Sequence, residues 1–268
     1  MLTYDDPKYI KQAKKVSRSP VVLYFRGKLP DQLGIAAVGA RRCTQEAKLA
    51  AVQLGEQLAA NKIPLISGMA KGIDGYAQTA CLKQGGYSLA VLAGGLDKCY
   101  PSEHQGLFQA LIEQGGVLSA YPPETPHKSK QFIERNALIA AWSKQVIVVQ
   151  ASLKSGALTT ADFAIQQGRE LYAAPHSIFV KEAQGSNQLL EKRAKIYLGL
   201  DSIGLKSEKE RNISDVKNGD GSLSEIQKKI LTILKENPAE KAKLPLVLNL
   251  PEKTILEEIM LLELDGYL

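Results

Sequence analysis

The sequence predicts an α/β protein with an extended Rossmann-like, mostly parallel sheet, helices on both faces, and a small C-terminal helical, winged-helix-like domain. Short apolar runs alternate with helix-length amphipathic segments between about residues 35 and 174, which is the pattern of βαβ units. After about residue 200 the composition changes to a polar stretch and then to helical patterns alone. The 268 residues, 44% of them hydrophobic, suffice for one sizeable α/β domain and a small second one.

The alternating region divides into candidate strands and candidate helices. Strands are predicted at 35–38, 63–66, 88–93, 117–120, 146–149 and 171–174. Helices are predicted at about 44–60, 73–84, 104–114, 129–142 and 157–167. Several of these helices end at Asn or Gly, which tolerate the backbone of a helix C-terminus. Pro64 falls inside a predicted strand and therefore favours an edge position or a strand start.

An N-terminal extension, residues 1–34, is predicted to pack on the Rossmann-like domain of residues 35–205. The extension contains a basic helical stretch around 8–15 and an apolar run at 21–25. No motif in this extension suggests chemistry of its own, so we expect it to complete the larger domain.

Two further segments follow that domain. Residues 206–221 are polar and poor in large apolar side chains, which predicts a flexible linker. Residues 222–268 show three helical patterns, with Ser224 as the N-cap of the first and Pro251 at the start of the third. These patterns, at 223–236, about 240–248 and 252–264, suggest a helix-turn-helix or winged-helix-like module.

Positive charge is concentrated in the first part of the chain. Residues 222–268 contain six lysines and eight acidic residues, so the net charge of +6 leaves +8 on residues 1–221. A basic domain of this kind favours a polyanionic partner, although the same charge could serve solubility alone.

The three cysteines have no metal-ligand spacing and are expected to be reduced thiols. No His/Cys metal pattern is present, so neither a metal nor a cofactor is expected. The N-terminus lacks the pattern of a signal peptide, and no apolar stretch is long enough to span a bilayer. We therefore expect a cytoplasmic protein without a membrane partner.

The loop at 67–74 is the strongest candidate for phosphate binding. Here Ser67 and Gly68 follow an apolar strand, and Lys71 precedes a helical pattern. Backbone amides of such a loop can donate to a phosphate while the Lys71 ammonium adds a point charge. The alternative is a tight strand-to-helix turn with a solvated lysine.

Two other loops follow predicted strands in the same way. Gly39 leads to Arg41 and Arg42, of which Arg41 is interpreted as a contact to a backbone phosphate; both could instead be exposed arginines at a helix cap. Gly94 and Gly95 form either a loop that approaches a ligand closely or a simple connector. Since parallel strands end at one edge of a sheet, these loops should converge on one crevice.

A fourth loop precedes the helical pattern at 157–167. It presents the Ser155 and Thr159–Thr160 hydroxyls and the Gly156 backbone at a helix start, where amides favour an anion. The alternative is an N-cap without a ligand.

An aromatic residue lies among cations near the start of another predicted helix. Phe132 stands between Lys130 and Arg135, so the bases of a single strand could stack on its ring while the cations follow the phosphates. The alternative is a Phe132 packed in the core.

No catalytic constellation is evident. The chain lacks a nucleophile elbow, a Walker A loop and the GxGxxG dinucleotide fingerprint. Asp74, Asp97 and Asp162 stand where Asp commonly caps a helix or a turn.

These motifs together resemble one known family. The stretch from about residue 4 to 198 is similar to the DNA-processing protein A family, also called DprA/Smf, and its matching pieces stand in the family's order. They are Val38–Arg41, Ser67–Asp74, Ala90–Asp97 with Tyr100–Pro101, Leu118–Ser119 with Tyr121–Pro122, Phe132 with Arg135–Asn136, Ser155–Ala161 and Gln167–Glu170.

The resemblance implies a Rossmann-like domain that binds single-stranded DNA, usually as a homodimer. It implies a protein that protects incoming DNA and loads a RecA-type recombinase in natural transformation (competence) and DNA recombination, and a family not known as enzymes. The family's basic DNA-binding residues fall at Arg41 and Lys71, its stacking aromatic at Phe132, and Asn136 joins Arg135 in the expected DNA-binding set. Residues 222–268 are similar to the small winged-helix domain of many members.

The chain departs from the family pattern at four positions. Gln78 stands where members usually have His, Ala137 where they have Arg, Gln150 where they have Glu, and His176 where they have Gly. Ala137 removes a positive charge close to the expected path of the strand. Gln78 and His176 alter the loops around the expected pocket.

Two further hypotheses compete with this interpretation or extend it. The same pocket could belong to a nucleotide- or phosphoribosyl-binding enzyme, but Rossmann-like phosphoribohydrolases carry a Pro-Gly-Gly-x-Gly-Thr loop where this chain has Ser155–Thr160. Separately, residues 252–265 contain five acidic side chains against Lys253 alone, so phosphates would repel this segment. We expect the C-terminal module to contact protein, either a second subunit or the basic domain itself.

Overall fold

The structure is a computed structural model and describes residues 1–9, 14, 20–205, 223–236, 243–264 and 267–268. The predicted linker at 206–221 and most of the predicted basic stretch at 8–15 lie outside these residues.

The described strands form one nine-stranded sheet in the order β1-β2-β6-β5-β4-β3-β7-β8-β9. Going across the sheet from β6 through β5, β4, β3, β7 and β8 to β9, all neighbouring strands are parallel. Strand β2 pairs antiparallel with β1 and with β6. The predicted mostly parallel Rossmann-like sheet is therefore confirmed. The strands are β1 Leu2–Thr3, β2 Val22–Gly27, β3 Gly34–Gly39, β4 Leu65–Ser67, β5 Ser88–Leu92, β6 Gly116–Ser119, β7 Ser143–Gln150, β8 Glu170–Ala173 and β9 Lys195–Ile196.

Helices cover both faces of the sheet because the central strands are buried on both sides. In β3, Ile35 and Ala37 pack toward α1 and α2, whereas Ala36 and Val38 pack toward α4 and α5. The helices are α1 Gln45–Ala60, α2 Ile73–Lys83, α3 Gln105–Gln114, α4 Ser129–Ala141, α5 Ala157–Gln166, α6 Gln184–Lys192, α7 Glu225–Glu236, α8 Leu244–Leu248 and α9 Glu252–Leu264. Short 3₁₀ turns lie at Ser102–His104, Lys181–Ala183 and Leu200–Ile203.

The order in which the chain adds strands reverses between the neighbouring parallel strands β3 and β7. From β3 the chain proceeds through β4, β5 and β6 toward one side of the sheet, and from β7 through β8 and β9 toward the other. In an open parallel sheet the crevice outside the strand ends at such a switch point is the usual ligand site.

The structure resolves the two alternatives for Pro64. Strand β4 begins at Leu65 and lies between β3 and β5, so an edge position is wrong and a strand start is correct. Because Pro64 precedes the ladder, its missing N–H costs no strand hydrogen bond, and its carbonyl accepts one from Ile35 N at 2.9 Å.

Some elements were not predicted as such. The apolar run at 21–25 lies largely in β2, which makes part of the N-terminal extension integral to the sheet. Helix α6 was missed because its first residues, Gln184 to Asn187, include Gly, Ser and Asn, which are poor helix formers.

Helices α7, α8 and α9 lie at the three helical patterns of the C-terminal module. They enclose a separate apolar core that includes Ile230, Leu244, Ile259 and Leu262. The winged-helix assignment stays a prediction. None of the helices among the described residues is long and apolar enough to cross a membrane.

Candidate nucleic-acid interface

A cavity of about 670 Å³, here called the chamber, lies at the switch point. Its walls come from the β3–α1 loop, the first half of α4, the β7–α5 loop with the start of α5, and the 3₁₀ turn after β8. Ten predicted site residues line it: Gly39, Arg41, Arg42, Phe132, Arg135, Asn136, Ser155, Gly156, Thr159 and Thr160.

A narrower recess of about 50 Å³, here called the groove, adjoins the chamber. Gly68 and Lys71 line the groove, and Arg41, Phe132 and Arg135 line both spaces. The predicted loops after β3, β4 and β7 therefore do converge on one edge of the sheet.

Cationic side chains surround the chamber. Arg41, Arg42, Lys154 and Lys181 are exposed and line it; of the acids in its lining, Glu182 is exposed and Asp74 is buried, facing Arg135. This arrangement gives the edge of the sheet a positive potential suited to phosphate groups.

Lys71 reaches the groove from the β4–α2 loop and forms an ion pair with Glu103 in the 3₁₀ turn before α3. Its side chain is 56% exposed, and exposed pairs of this kind contribute only about 0–1 kcal/mol. A phosphate can therefore compete for Lys71.

An aromatic cluster forms one wall of the groove. The rings of Tyr100 and His127 stack with centroids 4.7 Å apart, and Phe132 meets Tyr100 edge-on at 5.5 Å. The Arg41 guanidinium lies 5.5 Å from the centroid of Phe132. Phe132 is thus a half-buried member of the site wall, not a core residue. Burial and the nearby Arg135 lower the pKa of His127, which favours its neutral form in the stack.

Arg135 lies beneath the site. It is 6% exposed, and its Nη1 donates to the carbonyl oxygens of Gly68 at 2.5 Å and Val91 at 2.8 Å. Its charge faces Asp74, whose Oδ2 accepts the Gly68 amide at 3.0 Å. Burial raises the pKa of Asp74, with Arg135 opposing that rise, and burial lowers the pKa of Arg135. Arg135 therefore ties the loop after β4 to the end of β5 instead of offering its charge at the surface.

Two glycines are required for this packing. A side chain at Gly68 would place Cβ 2.0 Å from Nη1 of Arg135. Gly72 has a φ of +76°, and a Cβ there would lie 2.2 Å from the Ala40 carbonyl. The missing side chain at Gly68 makes room for Arg135, and the one missing at Gly72 lets the loop after β4 approach the loop after β3.

Three loop amides in the region expected to meet a phosphate are already bonded within the protein. In the β4–α2 loop, the Gly68 amide donates to Asp74 and the Met69 amide to Oε1 of Gln78 at 2.9 Å. The Gly95 amide donates to the Thr125 carbonyl at 3.1 Å. Side chains of α2 thus reach back to the β4–α2 loop and accept the amides of Gly68 and Met69.

The same holds at the start of α5. The amides of Ala157 and Leu158 donate to Oγ and the carbonyl of Ser155, and the Thr159 amide donates to the Gly156 carbonyl at 3.2 Å. Side-chain cations and hydroxyls line the chamber and can meet a ligand there.

Asn136 joins α4 to α5. Its Nδ2 donates to the Gly156 carbonyl and to Oγ1 of Thr159, both at 3.1 Å. Thr160 is 1% exposed and lines the chamber. Within the described part of the chain its hydroxyl has no hydrogen bond.

Four predicted site residues do not reach either space. Ser67 is fully buried and its hydroxyl donates to the Ala37 carbonyl at 2.7 Å. Gly94 and Gly95 are buried, and a Cβ on Gly94 would lie 2.7 Å from Nε2 of His127. Lys130 is 83% exposed outside both spaces and lies 3.6 Å from Glu134.

Sequence reasoning did not single out four side chains of the site. Lys154 and Lys181 line the chamber, and Tyr100 and His127 line the groove. Lys154 stood inside a loop already predicted as a site, which was a usable signal. The contact between Tyr100 and His127 depends on the β5–α3 loop meeting the segment before α4, and no local pattern shows that.

Two of the residues that depart from the family pattern, Gln78 and Gln150, are buried and hydrogen-bonded. Gln78 is buried between the Met69 amide and the Ser88 hydroxyl. Gln150 is buried at the end of β7, where its Oε1 accepts the Thr44 amide at 2.9 Å and its Nε2 donates to Oγ1 of Thr44 at 3.1 Å. Each of the two side-chain amides accepts one hydrogen bond and donates another. A carboxylate at position 150 could accept but could not donate.

The other two residues that depart from the family pattern, His176 and Ala137, are only half-buried. Nε2 of His176 lies 2.7 Å from the Val149 carbonyl, and its backbone pairs with the side chain of Asn187. Ala137 is half-buried on α4. Neither of these two residues lines the chamber or the groove.

The C-terminal module contacts the large domain beside this site. The Tyr76 hydroxyl on α2 donates to Oε2 of Glu263 on α9 at 2.9 Å, and α9 packs against the 3₁₀ turn Ser102–His104. The Lys48 ammonium lies 5.3 Å from the centroid of Tyr76. Burial and then the Glu263 charge raise the pKa of Tyr76.

Comparison with known proteins identifies this architecture. Residues 1–207 match the sequence profile of the DNA recombination-mediator protein A family. Protein Smf of Synechocystis is 34% identical over 203 residues, which are 74% of this chain and 51% of that protein. The DNA processing protein DprA of Streptococcus pneumoniae is 34% identical over 194 residues, 71% of this chain and 68% of that protein. The match thus spans about half of the first relative and about two thirds of the second.

Solved structures agree with the sequence comparison. The X-ray structure of DNA processing protein A from Streptococcus pneumoniae has a TM-score of 0.73 and 30% identity, covering 78% of this chain and 74% of that one. DNA processing protein A from Helicobacter pylori, described for its single-stranded DNA binding mode, has a TM-score of 0.67 and 30% identity, covering 72% of this chain and 89% of that one. With a matching profile over most of its length and a matching fold, the chain belongs to the DNA recombination-mediator protein A (DprA/Smf) family.

Proposed function

We propose that this chain binds single-stranded DNA along the edge of the sheet where the chamber and the groove meet. The observation that carries the proposal is that Arg41, Lys71 and Phe132 line one groove, with the Arg41 guanidinium 5.5 Å from the centroid of the Phe132 ring. Cations that follow phosphates, next to a ring on which bases stack, form the usual recognition surface for a single strand. The single-stranded DNA binding mode described for the Helicobacter pylori protein supports the same ligand class.

The finer proposal concerns what the bound strand is for. By analogy with the family, we propose that the protein is a cytoplasmic homodimer that protects incoming DNA and loads a RecA-type recombinase during natural transformation. Family membership supports this role, and the edge strand β9 with exposed Ile196 and Leu198 supports a protein contact at that side.

We propose a binder without catalysis of its own. Asp74 is the buried acid that lines the chamber, and it is held by the Gly68 amide and faces Arg135. An acid fixed in this way serves the structure of the loop. Base release from nucleoside monophosphates by the purified protein would replace this proposal with the phosphoribosyl enzyme.

The C-terminal module, in our proposal, contacts protein and not duplex DNA. The hydrogen bond from Tyr76 to Glu263 supports the large domain as its partner. The acidic side chains on α9 would repel phosphates.

The proposal is tested by the binding of fluorescent oligo-dT to charge-reversed variants. Arg41→Glu and Lys71→Glu are each expected to weaken binding about tenfold or more, because each loses a charge-assisted phosphate contact and adds repulsion. The logarithm of the binding constant should fall steeply with the logarithm of the salt concentration in the unchanged protein.

Lys144→Glu is the matched control, since Lys144 is exposed near the start of β7, at the opposite end of that strand. It should bind nearly as the unchanged protein does. A flat salt dependence, or equal losses in all three variants, would contradict a backbone-tracking surface.

A further inference from the structure

The free space at the interface is distributed unevenly. The chamber has about 670 Å³ and the groove about 50 Å³, with Arg41, Phe132 and Arg135 shared between them. A surface that only followed a sugar-phosphate chain would need a continuous channel. A chamber in the size range of small-molecule sites, at a topological switch point, fits a compact nucleotide-sized ligand.

The walls of the chamber separate into a charged part and an apolar part. Arg42, Lys154 and Lys181 line the chamber and not the groove, and Arg41 stands between the two. Val38, Ile139 and Phe132 supply apolar lining that suits the face of a base. Four cations around one chamber exceed what a single diester charge needs, whereas a terminal phosphate carries up to two charges and three acceptor oxygens.

Thr160 is a second, independent observation. It is 1% exposed, lines the chamber from the first turn of α5, and makes no hydrogen bond within the described residues. A buried hydroxyl normally has a partner, and a polar ligand atom in the chamber would supply one for Thr160.

We propose that the chamber binds a nucleotide with a terminal phosphate dianion. Two sources share this chemistry: a free mononucleotide and the phosphorylated end of a single strand. The second source rests on the proposed strand binding, and the first does not. Arg42, Lys154 and Lys181 bind the phosphate, the apolar wall holds the base, and Thr160 gives one hydrogen bond.

The test is calorimetric titration of the full-length protein with dAMP and, as the phosphate-free probe, deoxyadenosine. We expect dAMP to bind one per chain and about tenfold or more tighter than deoxyadenosine. Arg42→Gln and the nearly isosteric Thr160→Val should each weaken dAMP binding about fivefold or more. Lys144→Gln is the matched control, because Lys144 is exposed near the start of β7 and lines neither space; it should leave dAMP binding unchanged.

The sources are separated with oligo-dT that carries either a 5′-phosphate or a 5′-hydroxyl. Tighter binding of the phosphorylated strand, lost in Arg42→Gln, supports the strand end as a source; dAMP binding without this preference supports the free mononucleotide. If dAMP binds no better than deoxyadenosine and the 5′-phosphate adds nothing, while hydroxyl-ended oligo-dT binds normally, the inference is overturned and the proposed function stands. Failure of every oligonucleotide to bind would overturn the proposed function, and dAMP binding would still support the inference.

Discussion

Arg135 illustrates how a single residue shapes the interface without forming its surface. On α4, Gln131, Arg135, Leu138 and Ile139 share the buried side, whereas Ile133 and Glu134 are exposed. Arg135, three residues after Phe132, was expected to meet DNA; it lies on the same side of α4 as Phe132 but deeper, 6% exposed where Phe132 is half-buried. There it bonds the Gly68 carbonyl in the loop after β4 and the Val91 carbonyl in β5, and faces Asp74, so that it supports the site at which Arg41 and Phe132 lie.

Arg135→Met is expected to lower the free energy of unfolding by about 3–5 kcal/mol, because it leaves Asp74 buried without its compensating charge. Urea unfolding followed by circular dichroism measures this loss. The double variant Arg135→Met with Asp74→Asn removes the uncompensated carboxylate and should recover part of it. A single variant within about 1 kcal/mol of the unchanged protein would show that the pair does not hold the loops.

At the scale of elements, the site depends on how closely the start of α2 approaches the loop after β3. The Ile73 amide donates to the Ala40 carbonyl at 3.2 Å, next to Gly72 with its positive φ. This contact places the loop that carries Arg41 beside the loop that carries Lys71. The two cations of the proposed DNA path are therefore spaced by backbone packing between two elements.

Gly72→Ala tests that packing. It should lower the free energy of unfolding by about 2 kcal/mol more than Gly85→Ala, measured by urea unfolding, and should also weaken oligo-dT binding. Gly85 is the matched control because its φ is +71° but a Cβ there meets no atom within 4 Å. It isolates the cost of the positive φ from the cost of the close approach to Ala40. Equal losses in both variants would contradict a role for this contact in spacing the loops.

Most elements could be predicted from sequence because they rest on local periodicity. The predicted helix 73–84 is α2 at Ile73–Lys83, and the predicted strand 88–93 is β5 at Ser88–Leu92. The convergence of loops followed from the parallel sheet. The hydrogen-bond partners of the loop amides could not be predicted, because Asp74 and Gln78 reach Gly68 and Met69 only in the folded turn.

At the scale of the whole molecule, charge divides along the chain. Residues 1–221 carry the net positive charge, and the C-terminal module carries an acidic helix that meets the large domain through Tyr76 and Glu263. That contact lies on α2, which begins directly after the Lys71 loop. The module therefore lies beside the basic edge of the sheet and contributes no described residue to the lining of the chamber or the groove.

A chain that ends after residue 205 should therefore keep its affinity for oligo-dT, since the described residues that line both spaces precede that point. Its salt dependence should also match that of the full chain, because the number of phosphates it neutralises is unchanged. Fluorescence anisotropy at two salt concentrations measures both quantities. Tyr76→Phe in the full chain is the companion variant: it removes the hydrogen bond to Glu263 and keeps the module, and it should bind oligo-dT as the unchanged protein does. If truncation removed most of the affinity while Tyr76→Phe left it intact, the module would itself hold the strand, and its assignment as a protein-contacting domain would have to be abandoned.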